Sequence, residues 1–211
     1  MRTITNSFNS IVDLQKKAGY PFPSLLQSPA TLEQINLIEK SLRLRFNNEL
    51  CELYFLANGT NLYNQDLPLG KMGLIPIHCF LDLSAAEQYY DQLIGISNPK
   101  TNDFFYNGET NFKPEEKLFP ILDDSGGTCY WVDLNERTPN YSKIFYTNVD
   151  GEYPDYVFDN LTSMFATFAE CYESSIIFVD REGFLNCHYY EYYKIASKYN
   201  PTIKYWKEFI K

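Results

Sequence analysis

The sequence is poor in positive charge. Its 211 residues include 18 Lys and Arg against 27 Asp and Glu, which gives a formal net charge of −9. Proteins that bind nucleic acid neutralise phosphates with Lys and Arg, and anionic membrane surfaces attract basic segments. We therefore expect neither nucleic acid nor a membrane as a direct partner. The charge favours a basic partner, although solubility alone also accounts for many acidic proteins.

Long apolar runs are missing as well. No stretch of 18 apolar residues occurs, so no transmembrane helix is expected, and the opening MRTITNSFNS lacks the apolar centre of a signal peptide. Cysteines are few, odd in number and scattered, without a C-x-x-C pair. They are Cys51, Cys79, Cys129, Cys171 and Cys187. We expect a cytoplasmic protein with reduced, mostly buried thiols.

Motifs for catalysis and cofactors are also absent. The chain has no nucleotide-binding fingerprint, because Gly126-Gly127 is not followed by a helix, and it has no G-x-S-x-G. It has only two histidines, His78 and His188. His188 and Glu191 share a helix face, but a metal needs three or four ligands. A Cys129–His78 nucleophile is conceivable, yet a cysteine in an apolar strand is more often inert. We expect no metal, no cofactor and no catalytic residue.

Aromatic side chains are abundant instead, with 18 Tyr and 16 Phe. Tyr combines an apolar ring with a polar tip and suits half-buried faces and interfaces. The length and the hydrophobic fraction of 45% predict one domain, residues 1–211, with a sizeable core.

The strongest local signal is a predicted β-hairpin at residues 118–134. The apolar runs Leu118–Leu122 and Cys129–Leu134 flank Asp123–Thr128, which contains Gly126-Gly127. Glycines take positive φ without a steric penalty, so the chain can reverse there.

The remaining periodicities predict alternating helices and strands. Helices are predicted at residues 8–17, 32–42, 47–57, 85–93, 161–173, 185–199 and after Asn200-Pro201, with caps at Thr31, Ser84, Asn160 and Asn200. Strands are predicted at residues 73–80, 143–149 and 156–158, while 176–179 fits a strand or a continued helix. Residues 20–30 read as an extended connector, and 96–117 as an irregular aromatic loop.

The hairpin also carries the densest carboxylate set near aromatic rings: Asp123, Asp124 and Asp133 beside Tyr130 and Trp131. Three interpretations are open, namely turn-forming side chains, a partner-binding surface, and acid–base catalysis. Strand alternation places Trp131 and Asp133 on one face and Tyr130 on the other. Trp131 is therefore either an interface anchor or a core residue.

An ordered series of short motifs resembles a known family. It comprises Ile35-x-x-Ile38-Glu39, Leu56-Ala57-Asn58-Gly59, Gly73-Leu-Ile-Pro-Ile77, Phe119-Pro120-Ile121, Asp124-Ser-Gly-Gly-Thr-Cys-Tyr-Trp-Val-Asp-Leu134 and Leu161-Thr-Ser-Met-Phe165. Over about residues 28–175 the series resembles the SUKH superfamily, the cell-wall-assembly-regulator-like group that is rich in bacterial immunity proteins. Arg45-Phe46 stands where the family pattern has Leu-Pro, and the aromatic loop and Tyr-rich tail lie outside that pattern.

The resemblance implies an α+β fold with a mostly antiparallel central sheet flanked by helices. An N-terminal helix and a Tyr-rich helical C-terminal extension would be added to it. It also implies a non-enzymatic immunity protein that neutralises a cognate toxin, often a nuclease. We expect a monomer or weak homodimer. We predict Asp123, Asp124, Tyr130, Trp131 and Asp133 as the binding surface, with Phe105 and Tyr106 contributing less. The alternatives are a regulatory interaction scaffold or, less favoured, a hydrolase.

Overall fold

A computed structural model describes residues 2–62, 66–95, 104–106, 110–112, 117–147 and 155–210. The helices are α1 Ile4–Lys17, α2 Phe22–Leu25, α3 Leu32–Leu42, α4 Asn48–Leu56, α5 Leu83–Gly95, α6 Leu161–Glu173, α7 Tyr189–Tyr199 and α8 Tyr205–Glu208. The strands are β1 Cys79–Phe80, β2 Phe104–Tyr106, β3 Thr110–Phe112, β4 Leu118–Asp123, β5 Cys129–Asp133, β6 Ile144–Thr147, β7 Asp155–Phe158, β8 Ile177–Val179 and β9 Leu185–Cys187.

The centre of the fold is a five-stranded sheet in the order β1-β4-β5-β6-β7. Every neighbouring pair in it is antiparallel. Two further antiparallel pairs, β2–β3 and β8–β9, stand apart from it. The predicted α+β class, with an antiparallel sheet flanked by helices, is confirmed.

Local capping chemistry sets several helix ends. Thr31 and Gln34 form the predicted capping box, with Thr31 Oγ1 accepting from the Gln34 amide and Gln34 Oε1 accepting from the Thr31 amide. The predicted cap at Asn160 is also confirmed. The cap predicted at Ser84 is wrong, because Asp82 Oδ1 accepts the hydrogen bond from the Ala85 amide at 2.8 Å.

The segment predicted as a strand at residues 73–80 enters the sheet only at Cys79 and Phe80. Pro76 lacks an N–H for a ladder, and Ile77 takes a φ of +61°, which turns the chain away from an extended path. Residues 75 and 78 instead close a tight reversal with an isolated bridge. The strand that follows is an edge strand, as Pro76 predicts.

The N-terminal region contains more helix than the periodicity predicts. Helix α1 begins at Ile4 rather than at residue 8, since Thr3 Oγ1 accepts from the Asn6 amide and caps the earlier start. Helix α2 interrupts the predicted extended connector directly after Pro21, where a fixed φ suits a first helical turn.

The C-terminal extension differs from the prediction at two points. Leu185 lies in β9, and helix α7 begins only at Tyr189, after a hairpin whose turn is held by Asp180. Asn200 is not a helix N-cap. It is buried behind the end of α7, where its amide donates to the Ala196 carbonyl and its oxygen accepts from the Asp159 amide.

One hydrophobic core runs from Ile4 in α1 to Trp206 in α8. Trp206 donates from Nε1 to the Val157 carbonyl of the sheet and packs its ring near Tyr192 and Phe158. The C-terminal extension therefore completes the core. Among the described residues, no helix is both long and apolar enough to cross a membrane.

Candidate partner-binding site

The hairpin turn between β4 and β5 uses its carboxylates as structural acceptors. Asp124 Oδ1 accepts from the amides of Gly126 and Thr128 at 2.7 and 2.8 Å, and Asp123 Oδ2 accepts from the Ser125 amide at 2.9 Å. The chain reverses with positive φ at Ser125 and Gly127. This geometry matches the turn-forming interpretation of both aspartates.

Asp123 is the more buried of the two aspartates. Burial raises the pKa of its carboxyl group, and its neighbour Asp124 adds to the rise, while hydrogen bonds from Ser125 and Tyr89 oppose it. Its Oδ1 has no hydrogen-bond partner within the described part of the chain. Asp124 is half-exposed, so its carboxylate is the more accessible of the two at this turn.

Trp131 and Asp133 lie on one face of β5, and each is 4% exposed. The Trp131 indole packs with Leu118 and Cys129, and its Nε1 donates to Thr147 Oγ1 at 3.0 Å. Asp133 Oδ2 accepts from the Tyr156 hydroxyl at 2.6 Å. In this conformation Trp131 is therefore a core residue and not an exposed interface anchor.

Tyr130 lies on the opposite face of β5, in the main core. Its ring centroid is 4.7 Å from that of Tyr146 and 5.0 Å from that of His78. The strand is buried on both faces, because β4 and β6 flank it and side chains cover both surfaces of the sheet. Partner binding by the hairpin residues stays a prediction, and in this conformation Asp124 is the accessible member.

Phe105 and Tyr106 belong to β2, opposite Asn111 and Thr110 of β3. Their side chains lie outside the described residues, as does most of the predicted aromatic loop. Their contribution to a binding surface also stays a prediction.

A cavity of about 140 Å³ opens beside Tyr130. Residues 75–78, Tyr146, Tyr189 and Tyr192 also line it. None of these residues is predicted as a site residue from the sequence. In the sequence these residues appear only as an isoleucine after Pro76 and as a Tyr-rich helix start. Neither pattern is specific enough to predict a site.

His78 contributes a buried imidazole ring to the lining of this cavity. Its Nδ1 lies 3.0 Å from the Pro76 carbonyl, and because a carbonyl oxygen only accepts, Nδ1 carries the proton. Nε2 is then an acceptor, and it has no partner among the described residues. Burial lowers the pKa of His78, while the Pro76 carbonyl and the Asp124 carboxylate oppose that lowering. The ring is therefore neutral at pH 7.

The described residues contain no group of three or more His, Cys, Asp or Glu side chains arranged to hold a metal. All five cysteines are free thiols. Burial raises the pKa of Cys129 well above its ordinary value, and a protonated thiol is a poor nucleophile. Cys129 is therefore poorly suited to act as a nucleophile in this conformation.

Comparison with protein families gives a match over most of the chain. Residues 29–167 match the model of the SMI1 / KNR4 family (SUKH-1). No curated protein is similar enough to the chain to count as a relative. Membership fits an immunity-type or regulatory protein, and the family is generally non-catalytic. Because the matched segment covers most of the chain and contains the whole five-stranded sheet, this protein belongs to the SMI1 / KNR4 family within the SUKH superfamily.

Proposed function

We propose that this protein is an immunity protein that binds a cognate bacterial toxin and neutralises it by covering the toxin's working surface, without catalysis. The family match over residues 29–167 is the observation that carries the proposal. We further propose that it acts in the cytoplasm, where a nuclease toxin would reach its substrate, and that it does so as a monomer or weak homodimer.

The charge balance supports a basic toxin. A protein that acts on nucleic acid needs Lys and Arg to neutralise phosphates, and this chain carries a net charge of −9. Complementary charge steers encounter and raises the association rate more than it raises affinity. A basic nuclease is therefore the partner that this composition favours.

We propose that the β4–β5 hairpin contributes to the toxin-binding surface through Asp124 at its turn. Asp123, Tyr130, Trp131 and Asp133 would act behind it, since their burial lets them hold the turn and strand in place. Phe105 and Tyr106 of the β2–β3 hairpin remain proposed as aromatic contacts.

Co-expression with the toxin encoded next to this gene tests the proposal. We expect growth to be rescued and the two purified proteins to form a complex of one defined stoichiometry. Failure of the chain to rescue growth from any adjacent toxin would overturn the immunity function.

Asp124→Asn is the matched variant for the charge argument, because the amide oxygen can still accept from Gly126 and Thr128. We expect a several-fold slower association rate at low salt and a dissociation rate close to that of the wild type. Equal association rates at low salt would remove Asp124 from the proposed surface.

The alternative function is a regulatory interaction scaffold, because membership in the same family also fits a regulatory protein. Affinity capture separates the two functions. An immunity protein should retain one tight partner, whereas a scaffold should retain several weak ones. A hydrolase is less favoured. Support for it would require a measurable turnover that the double variant Asp123→Asn with Asp124→Asn abolishes.

A further inference from the structure

We propose that the cavity between residues 75–78 and the C-terminal extension is an anchor pocket for one basic side chain, a lysine or arginine, of a protein partner. The inference rests on the proposed function in one respect, namely that a protein partner exists. The pocket itself is argued from its size, its buried acceptor, its rim and its charge.

The size of the cavity points to a single side chain. Its volume is about 140 Å³, whereas sites for small molecules and cofactors have volumes of about 300–1,000 Å³. Its walls are mostly aromatic and aliphatic, with Tyr130 and Tyr146 from the sheet and Tyr189 and Tyr192 from the extension. An occupant therefore needs an apolar stem.

The buried acceptor points to a donor at the end of that stem. His78 is 5% exposed, and the hydrogen bond to the Pro76 carbonyl fixes its proton on Nδ1. Nε2 thus offers a lone pair that has no partner in the described part of the chain. A buried polar atom without a partner is costly, so an incoming N–H or O–H group would remove that cost.

The rim of the cavity is built from exposed apolar side chains. Ile77 is 54% exposed and Tyr189 is 57% exposed. Ile77 also takes a φ of +61°, a conformation that is unfavourable for a β-branched residue and is held only by its surroundings. The strained turn places an aliphatic side chain at the mouth of the cavity, where it can exclude water around an anchor.

Charge decides in favour of a basic occupant over a neutral one. The faces of tyrosine rings attract Lys and Arg, and the Asp124 carboxylate is near enough to His78 to affect its pKa. The net charge of −9 acts in the same direction at longer range. A hydroxyl donor would satisfy Nε2 but would gain little from the rings or the carboxylate.

Nuclear magnetic resonance on the isolated chain tests the pocket with small probes. n-Butylammonium has an apolar stem and a cationic donor, while n-butyltrimethylammonium has the same stem and charge but no N–H. Only two imidazoles occur in the chain, so exposed His188 serves as an internal reference for His78. We expect n-butylammonium to shift the His78 Nε2 resonance saturably, with little response to n-butyltrimethylammonium and none at His188.

Two results would overturn the pocket. Equal responses to both probes would show that Nε2 is not the contact. No response to either would show that the cavity holds only water or is closed in solution.

Tyr189→Ala and Tyr190→Ala form a matched pair for the rim. Both residues are exposed and adjacent at the start of α7, but Tyr189 lines the cavity and Tyr190 does not contribute to it. Loss of one cation–π contact should weaken n-butylammonium binding ~2- to 5-fold for Tyr189→Ala, with no change for Tyr190→Ala. Equal effects of the two variants would contradict the assignment.

The same pair separates this inference from the proposed function. In a complex with a neutralised toxin, Tyr189→Ala should weaken binding about tenfold or more, as truncation of an anchor contact does. Rescue by the wild type with no loss for Tyr189→Ala would keep the immunity function and reject the pocket. Probe binding at His78 without rescue by the wild type would keep the pocket and reject the immunity function.

Discussion

The β4–β5 hairpin and the junction between residues 75–78 and α7 differ in how they use polar and aromatic side chains. The hairpin has the denser set in sequence, yet most of it faces inward and is hydrogen-bonded within the fold. The junction includes only the end of one family-like motif, Gly73–Ile77, yet it presents exposed Ile77 and Tyr189 beside an acceptor that has no partner among the described residues. Side chains that are buried and hydrogen-bonded within the fold have fewer free groups and less surface with which to bind a ligand.

The position of each region in the sheet explains the difference. Strand β5 is central and has neighbours on both sides, whereas the turn at residues 75–78 precedes the edge strand β1. A central strand with two covered faces leaves no side chain free for solvent. An edge strand is covered only by the segments that pack beside it. Here the C-terminal extension packs beside residues 75–78 and leaves a cavity between them.

The largest expected effect is the loss of Trp131. Trp131→Ala removes a buried indole and should lower the free energy of unfolding by about 3–5 kcal/mol, as measured by denaturant unfolding. Trp131→Phe, which keeps most of the ring packing but loses the bond to Thr147, should cost clearly less. A change below about 1 kcal/mol for the alanine variant would indicate that Trp131 is exposed in solution and is not part of the core.

A second prediction concerns the hydrogen bond between buried Asp133 and half-buried Tyr156. Asp133→Ala removes the carboxylate that accepts from the Tyr156 hydroxyl and the Asn135 amide, which should cost about 1–3 kcal/mol of stability. A double-mutant cycle with Tyr156→Phe should give a coupling of about 0.5–3 kcal/mol. Additive effects would show that the hydrogen bond contributes nothing to the fold.

Asp123 should make stability depend on pH. Its pKa is raised by burial, so the folded state holds the proton more tightly than the unfolded state does. The resulting stability is complete below the unfolded pKa of about 3.9 and is lost as pH rises through the folded value.

Asp123→Asn should therefore flatten the fall in stability from about pH 4 towards neutral. Thermal unfolding at a series of pH values checks this. A variant that shows the same pH profile as the wild type would place the dependence on another group.

The smallest stability effect is expected at the junction. Tyr189→Ala and Tyr190→Ala should each change the free energy of unfolding by less than about 0.5 kcal/mol, as surface substitutions usually do. A large loss for Tyr189→Ala would mean that the rim is part of the core, and the contrast between the two regions would then fail.

Features with local causes were predictable from the sequence. The capping box of Thr31 and Gln34 and the cap at Asn160 depend on groups three residues apart. The reversal at residues 123–128 depends on aspartates that bond to neighbouring amides. Short-range hydrogen bonds recur wherever the same residues recur, so a pattern is enough to find them.

Features with distant causes were not predictable in the same way. Asn200 reads as a helix start, but it bonds to residue 159 and is buried. Gly59 has a positive φ, and a Cβ there would lie 2.2 Å from the Asp82 backbone nitrogen. Neither the burial nor the close approach has a signature in the neighbouring sequence.

The sequence alone determined the fold class, the acidic surface charge, the family and the turn chemistry of the hairpin. The charge depends on composition and the turn chemistry on contacts within a few residues, whereas the family and the fold class follow from ordered motifs that resemble the SUKH superfamily. Tertiary structure was needed to show that Trp131 and Asp133 face inward and that His78, beside Tyr189, has an acceptor with no partner in the described part of the chain. Burial and cavities arise where segments far apart in the chain pack together, and a local sequence pattern does not show which segments these are.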